Sequence, residues 1–115
     1  MQDHINYVEF AANDLAATER FFSDVFSWQF EHYGPDYIAF NNSGIDGGFY
    51  RSEQVSVSAN GGALVVLYSN MLEQTLEKVQ QAGGTISKDI FSFPGGRRFH
   101  FIEPSGNELA VWTAC

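Results

Sequence analysis

The feature that most constrains this chain is a pattern that occurs twice. Residues Ile5 to Ala12 read as a strand, Asn13-Asp14 offers a helix cap and an acidic first turn, and Leu15, Thr18, Phe22 and Val25 recur at helical spacing. Trp28 to Tyr33 alternates apolar with polar, Gly34-Pro35-Asp36 turns the chain, Tyr37 to Phe40 resumes a strand, and Gly44 to Tyr50 supplies another. Ala63 to Tyr68 starts the cycle again. Asn70 followed by Glu73 is a capping-box pattern, Leu72, Leu76 and Val79 share a helical face, and Gly83-Gly84 is a helix stop. Thr85 to Phe91, Arg97 to Ile102 and Glu108 to Thr113 read as three more strands, separated by Phe93-Pro94-Gly95-Gly96 and Glu103-Pro104-Ser105-Gly106-Asn107. Strand, helix, strand, strand, strand thus appears in each half. The helix openings Asn13-Asp14-Leu15 and Asn70-Met71-Leu72 stand 57 positions apart, and Ser43-Gly44 and Ser105-Gly106 each precede the last strand of a half. Identity between the halves is slight, so the duplication rests on hydrophobic pattern.

A chain of 115 residues fits one domain, since a domain this size removes roughly two-thirds of its unfolded surface from water. Hydrophobic residues make up 44% and include eleven Phe, enough for a real core. A net charge of −8 repels phosphate backbones, which argues against nucleic-acid binding. That charge would attract a cationic ligand, though it also simply keeps a protein dispersed. The single cysteine, Cys115, cannot form an internal disulfide framework or a multi-cysteine zinc site, which suits a reducing compartment. The segment from Met1 to His4 does not open a signal peptide, and no apolar run reaches the roughly 20 residues of a membrane span. A cytoplasmic protein with no membrane association is expected.

From Ile5 to Trp112 the chain resembles the vicinal oxygen chelate (glyoxalase / bleomycin-resistance / extradiol dioxygenase) superfamily. The matching segments are Tyr7-Val8-Glu9-Phe10, Asn13-Asp14-Leu15, Phe21-Phe22, Val25-Phe26-Ser27-Trp28, Gly47-Gly48-Phe49-Tyr50, Ala82-Gly83-Gly84 and Phe101-Ile102-Glu103-Pro104-Ser105-Gly106-Asn107. The resemblance implies an α+β fold: two βαβββ modules forming a curled mixed sheet, a cup, with helices outside, and usually a homodimer. The modules would cover about 4–58 and 62–115 of a single domain, 1–115. Members include glyoxalases, dioxygenases, epimerases, thiol transferases and metal-free proteins that sequester antibiotics, so the fold alone does not select the chemistry.

Metal-using relatives draw one ligand from the first and one from the last strand of each module. Carried onto this sequence, those positions are Tyr7, Gly48, Leu64 and Ala110. Leu, Gly and Ala side chains have no donor for a divalent ion. A one-residue slip does not restore the site, because adjacent strand residues face opposite ways. Glu108 is two positions from the usual carboxylate, facing the cup but about 6 to 7 Å away. No metal and no other cofactor is expected.

Strand parity defines the cup lining instead. With Tyr7 inward, Glu9 follows, while Val8 and Phe10 pack on the helices. Phe99 and Phe101 form a core pair, leaving Arg98, His100 and Ile102 on the cup face with Glu108, Ala110 and Trp112. Tyr7, Glu9, Tyr50, Arg98, His100, Glu108 and Trp112 are therefore the candidate ligand-binding residues, suited to a flat aromatic or heterocyclic molecule. Glu9 and His100 are also candidate general bases; equally, Glu9, Arg98 and His100 can form a structural polar network. His4 reads as a surface residue, and His32 as solvated or a dimer contact. The glycines of Gly44 to Gly48 and Gly95-Gly96 lack the context of a phosphate or dinucleotide loop, and no nucleophile elbow occurs. The expected function is capture of a small organic ligand without metal. The alternative is a lyase/isomerase-type (lactoylglutathione lyase-like) or dioxygenase-type enzyme using a rearranged metal site or a Glu or His base; a ligand sensor is a third possibility.

Overall fold

The two helices open at the positions that the repeat requires, α1 over Leu15–Phe26 and α2 over Leu72–Gln81. A computed structural model describes residues 2–115, with Met1 outside the described residues. Asp14 caps α1 through its carboxylate, which accepts the Ala17 amide at 3.0 Å, a contact worth ~1 kcal/mol. Asp14 is the cap itself, so the acidic first turn expected after it is not formed. Nor does the capping box of α2 form. Met71 takes the cap position, which puts Glu73 at the second helical residue, one short of the position that reaches back. The Ser69 hydroxyl accepts the Met71 amide instead, and Glu73 turns outward to Arg97.

Strands β1 (Tyr7–Ala12), β2 (Gln29–His32), β3 (Tyr37–Asn41) and β4 (Asp46–Arg51) form one sheet in the order β1-β4-β3-β2. Strands β5 (Val65–Tyr68), β6 (Thr85–Phe93), β7 (Gly96–Ile102) and β8 (Glu108–Thr113) repeat the arrangement as β5-β8-β7-β6. In each sheet the first strand runs parallel to the last and the other pairs are antiparallel. This is the α+β architecture of two βαβββ modules with curled, unclosed sheets.

Alternation along these strands sorts side chains by face. Phe10, Ile38, Phe40 and Phe49 enter the core from the first sheet, and Phe99, Phe101, Leu109 and Val111 from the second. Helix α1 joins the halves: Phe22 stacks on Trp28 at 4.5 Å, and Phe21 lies 5.7 Å from Phe101 in the other module. Each such side chain, fully buried, stabilises the fold by roughly 1.5–3 kcal/mol.

A polar seam fixes the start of β8 against α1. The Glu103 carboxylate, only 1% exposed, accepts the Thr18 hydroxyl at 2.7 Å and the Ser105 amide at 3.0 Å on one oxygen. Its other oxygen accepts the Asn107 amide at 3.2 Å and the Asn107 side-chain amide at 2.7 Å. Asn107 also donates to the Ala11 carbonyl at 2.7 Å. Gly106, at φ +108°, supplies the left-handed residue of this turn. The turn therefore decides where Glu108, Ala110 and Trp112 stand.

Candidate functional site

On the open face of the first sheet, Tyr7, Glu9, Tyr37 and Tyr50 stand together, as the pairings Glu9 with Gly48 and Tyr37 with Tyr50 require. The Tyr37 hydroxyl donates to Glu9 Oε2 at 2.8 Å. Having given its one proton there, it can only accept from Tyr7, whose hydroxyl lies 2.6 Å away. The order is Tyr7 to Tyr37 to Glu9. Burial first, then the hydrogen bonds with Tyr7 and Glu9, push the Tyr37 hydroxyl well above the ordinary phenol range. Tyr37 lies across Gly48: a Cβ at that position would stand 2.1 Å from the Tyr37 hydroxyl and 2.4 Å from Cζ. Glycine is thus what lets the ring fold over the strand.

On the open face of the second sheet, His100 is buried between Glu108 and Arg98. Its Nδ1 lies 3.1 Å from Glu108 Oε2. The Ser58 amide and hydroxyl, in the short 3-10 turn Ser58–Asn60 of the linker, donate to Glu108 Oε1 at 2.8 and 2.7 Å. Burial works to raise the Glu108 carboxyl, but the Ser58 and His100 hydrogen bonds outweigh it and hold the group down at about 2. Arg98 directs Nε and one terminal nitrogen at His100 Nε2, 3.2 and 2.9 Å away. An ionised Glu108 accepts only and Arg98 donates only, so donors and acceptors match when Nδ1 carries the ring proton and Nε2 is bare.

Aromatic rings surround this row. The Arg98 guanidinium carbon is 5.8 Å from the Phe91 ring centre and 5.7 Å from that of Phe93. Trp112 lies 6.1 Å from Phe93 and 5.0 Å from Tyr68. Val66, Phe93, Gly95, Arg98 and Trp112 line a shallow hollow of about 260 Å³. A larger hollow of about 640 Å³ lies between the modules, bounded by β1 and β5 and the loop from Asn42 to Ile45, with Ile5, Val8, Trp28 and Val65 among its mostly apolar lining.

The expected lining residues therefore fall into two clusters, Tyr7 and Glu9 with Tyr50 nearby, and Arg98, His100 and Glu108 with Trp112. Among the described residues no hydrogen bond, ion pair or ring contact joins the clusters. His4 is exposed, and His32 is exposed with Nε2 2.6 Å from Glu19. Tyr37, Ser58, Phe91 and Phe93 were not among the residues the sequence pointed to. Tyr37 was findable, because its alternation with Ile38 puts it on the face of Tyr50. Phe91 was findable in the same way, because the two register shifts in β6 cancel and leave Ile86 and Ile90 toward the core and Phe91 on the face of Arg98, whereas Phe93 read as part of the turn that follows the strand.

The four positions where metal-using relatives place ligands hold one phenol and no imidazole or carboxylate. The Tyr7 phenol is engaged with Tyr37, Gly48 lies under Tyr37, Leu64 precedes β5, and Ala110 is fully buried. Among the described residues no group of three or more His, Cys, Asp or Glu is placed to hold an ion. The residues present do not fit the metal centre of such relatives.

A family model described as the Glyoxalase/Bleomycin resistance protein/Dioxygenase superfamily matches residues 4–111. The chain belongs to that superfamily. No curated protein sequence matches it. Among solved structures, a glyoxalase/bleomycin resistance protein/dioxygenase family enzyme from Burkholderia phytofirmans PsJN superposes with a TM-score of 0.81 at 16% identity, covering 96% of this chain and 98% of that one. A genomically encoded fosfomycin resistance protein, FosX, from Listeria monocytogenes gives 0.80 at 14% identity, covering 98% and 94%. Lactoylglutathione lyase from Agrobacterium tumefaciens gives 0.72 at 17%, covering 96% and 93%. At these identities the likeness establishes the glyoxalase-superfamily fold and nothing about substrate. No helix is long and apolar enough to cross a membrane among the described residues.

Proposed function

We propose that this glyoxalase-superfamily protein is a cytoplasmic homodimer that binds a small aromatic or heterocyclic molecule on its open sheet faces without a metal ion. The observation that carries this reading is the fate of the first-module ligand position: Gly48 has no side chain, and Tyr37 occupies the space above it. Where relatives would hold an ion, the chain holds a phenol. The second open face supplies Trp112, Phe93 and Arg98 around a hollow, flat apolar area with a few fixed polar groups, which is what recognition of a ring needs. In the proposed binding set of Tyr7, Glu9, Tyr50, Arg98, His100, Glu108 and Trp112, the buried His100 and Glu108 serve by holding Arg98 in place and the other five meet the ligand. Dimerisation is supported by β1 and β5, each paired on one side only among the described residues and flanking the 640 Å³ apolar hollow.

Thermal-shift screening against aromatic and heterocyclic compounds, with elemental analysis of protein purified without chelators, tests this reading. Stabilisation by ring compounds in metal-free protein is expected. A stoichiometric transition metal, or indifference to the whole panel, would refute it. Sedimentation velocity tests the dimer separately.

One observation favours a second reading, metal-free base catalysis of the lyase or isomerase type. Glu9 is exposed, and Tyr37 engages only one of its carboxylate oxygens. Of the two candidate bases it is the better placed, since His100 Nε2 already accepts from Arg98. A turnover that Glu9→Gln abolishes and His100→Gln spares would favour catalysis over capture.

A further inference from the structure

Arg51 and Arg97 hold carboxylates, Asp36 and Glu73, whereas Arg98 has no carboxylate within ion-pair distance among the described residues. Its guanidinium is held by the faces of Phe91 and Phe93 and spends Nε and one terminal nitrogen on His100. The other terminal nitrogen, with both its hydrogens, has no acceptor among the described residues, and Arg98 lines the hollow that Trp112 and Phe93 form. The nearest negative charge in this row is Glu108, and the His100 ring stands between the two. Both Glu108 oxygens are already engaged, by Ser58 and by His100. Glu108 therefore aims the guanidinium through the imidazole and leaves its outer donors uncommitted.

We propose that this hollow selects anionic aromatic ligands, an aryl carboxylate whose ring lies against Trp112 and Phe93 and whose carboxylate pairs with Arg98. The inference rests on the proposed function, that this face binds a ring compound, and adds the sign of its charge. A guanidinium offers parallel donors that match a carboxylate's two oxygens, and the two phenylalanine rings hold it in place beforehand. The net charge of −8 points the other way, toward a cationic ligand. That field is screened beyond about 8 Å at physiological salt, whereas Arg98 acts at contact distance.

Calorimetric titration of the full chain with 2-naphthoate and with its neutral counterpart 2-naphthamide tests the charge preference. The carboxylate should bind about tenfold tighter or more, and Arg98→Gln should bring the two to within about twofold while the protein keeps its cooperative melt. Arg98→Lys should retain part of the preference, and added salt should weaken naphthoate alone. Should Arg98→Gln fail to fold, the lysine variant and the salt dependence still decide. Equal binding of both compounds overturns the charge preference and leaves ring binding standing. Binding of neither at millimolar concentration overturns both. An Arg98→Gln variant that melts earlier yet keeps the preference overturns the role of Arg98 and makes it a structural residue.

Discussion

Glu103→Gln is the change whose cost can be worked out most fully. The substitution preserves volume but replaces one carboxylate oxygen by an amide that donates. If the amide faces Asn107, it meets the backbone and side-chain donors of that residue. Asn107 cannot flip to help, because its side chain also donates to Ala11 and accepts the Ser56 amide at 2.8 Å. If the amide faces Thr18 and Ser105, the Thr18 hydroxyl can rotate to accept, but the Ser105 amide proton has nowhere to go. The second arrangement is cheaper, and it leaves one buried donor unsatisfied at ~1–3 kcal/mol. The remaining bonds lose their charged acceptor, falling from ~1.5–3 to ~0.5–1.5 kcal/mol each. With the two Asn107 bonds so weakened, a total of about 3–6 kcal/mol follows, a large share of the ~5–15 kcal/mol that holds a domain together. Urea unfolding followed by far-ultraviolet circular dichroism should show the midpoint falling with an unchanged slope. Thr18→Val, which removes one donor to the carboxylate and the acceptor of the Ser105 hydroxyl at 2.6 Å but adds no competing donor, should cost less, about 1.5–3 kcal/mol. A Glu103→Gln variant within about 0.5 kcal/mol of the parent would refute the seam as an organising element.

Acid should expose the Glu108 contribution. Its carboxyl lies at about 2 in the folded protein against an ordinary 4.5, so its stabilisation is complete above 4.5 and disappears as pH falls toward 2. The gap corresponds to roughly 3 kcal/mol. Stability measured by urea titration across that window should fall less steeply in Glu108→Gln, and parallel profiles would refute the assignment. Gly48→Ala should expel Tyr37 and break its bonds to Tyr7 and Glu9, at a cost of about 1–2 kcal/mol. The expelled hydroxyl should ionise at lower pH, nearer the ordinary 10.0, as read from tyrosinate absorbance. Adding Tyr37→Phe to Gly48→Ala should then cost little more, and fully additive effects would argue against the overlap.

Much of this fold was legible because period two and period 3.6 are local. Phe99 and Phe101 turn inward and Arg98 and His100 outward by alternation alone, and Leu72 and Val79 share the buried side of α2 for the same kind of reason. What escaped depends on partners distant in sequence or on frame. Ser58 meets Glu108 across 50 positions, from a linker with no periodic signal. Glu103 stood inside a recognisable turn, but only the fold brings Thr18 from 85 positions away to make its carboxylate a hub. The capping box failed by one residue of frame, a shift that spacing alone does not reveal.

The open faces share one construction. Tyr7 donates to Tyr37 and Tyr37 to Glu9; Arg98 donates to His100 and His100, with Ser58, to Glu108. Each row ends on a carboxylate, and among the described residues no buried side-chain nitrogen or oxygen lacks a partner. A matched row fixes its members without an ion, which is how a face can be preorganised when the strands supply no metal ligands. Preorganisation of this kind commits the interior groups and leaves recognition to the ends: the Tyr7 phenol and exposed Glu9 oxygen on one sheet, and the outer guanidinium nitrogen of Arg98 on the other. The two ends differ in sign. On the proposed binding reading, a ligand's charge decides which face it meets, so Arg98→Gln should impair anion binding while leaving the Tyr7 and Glu9 face as it is.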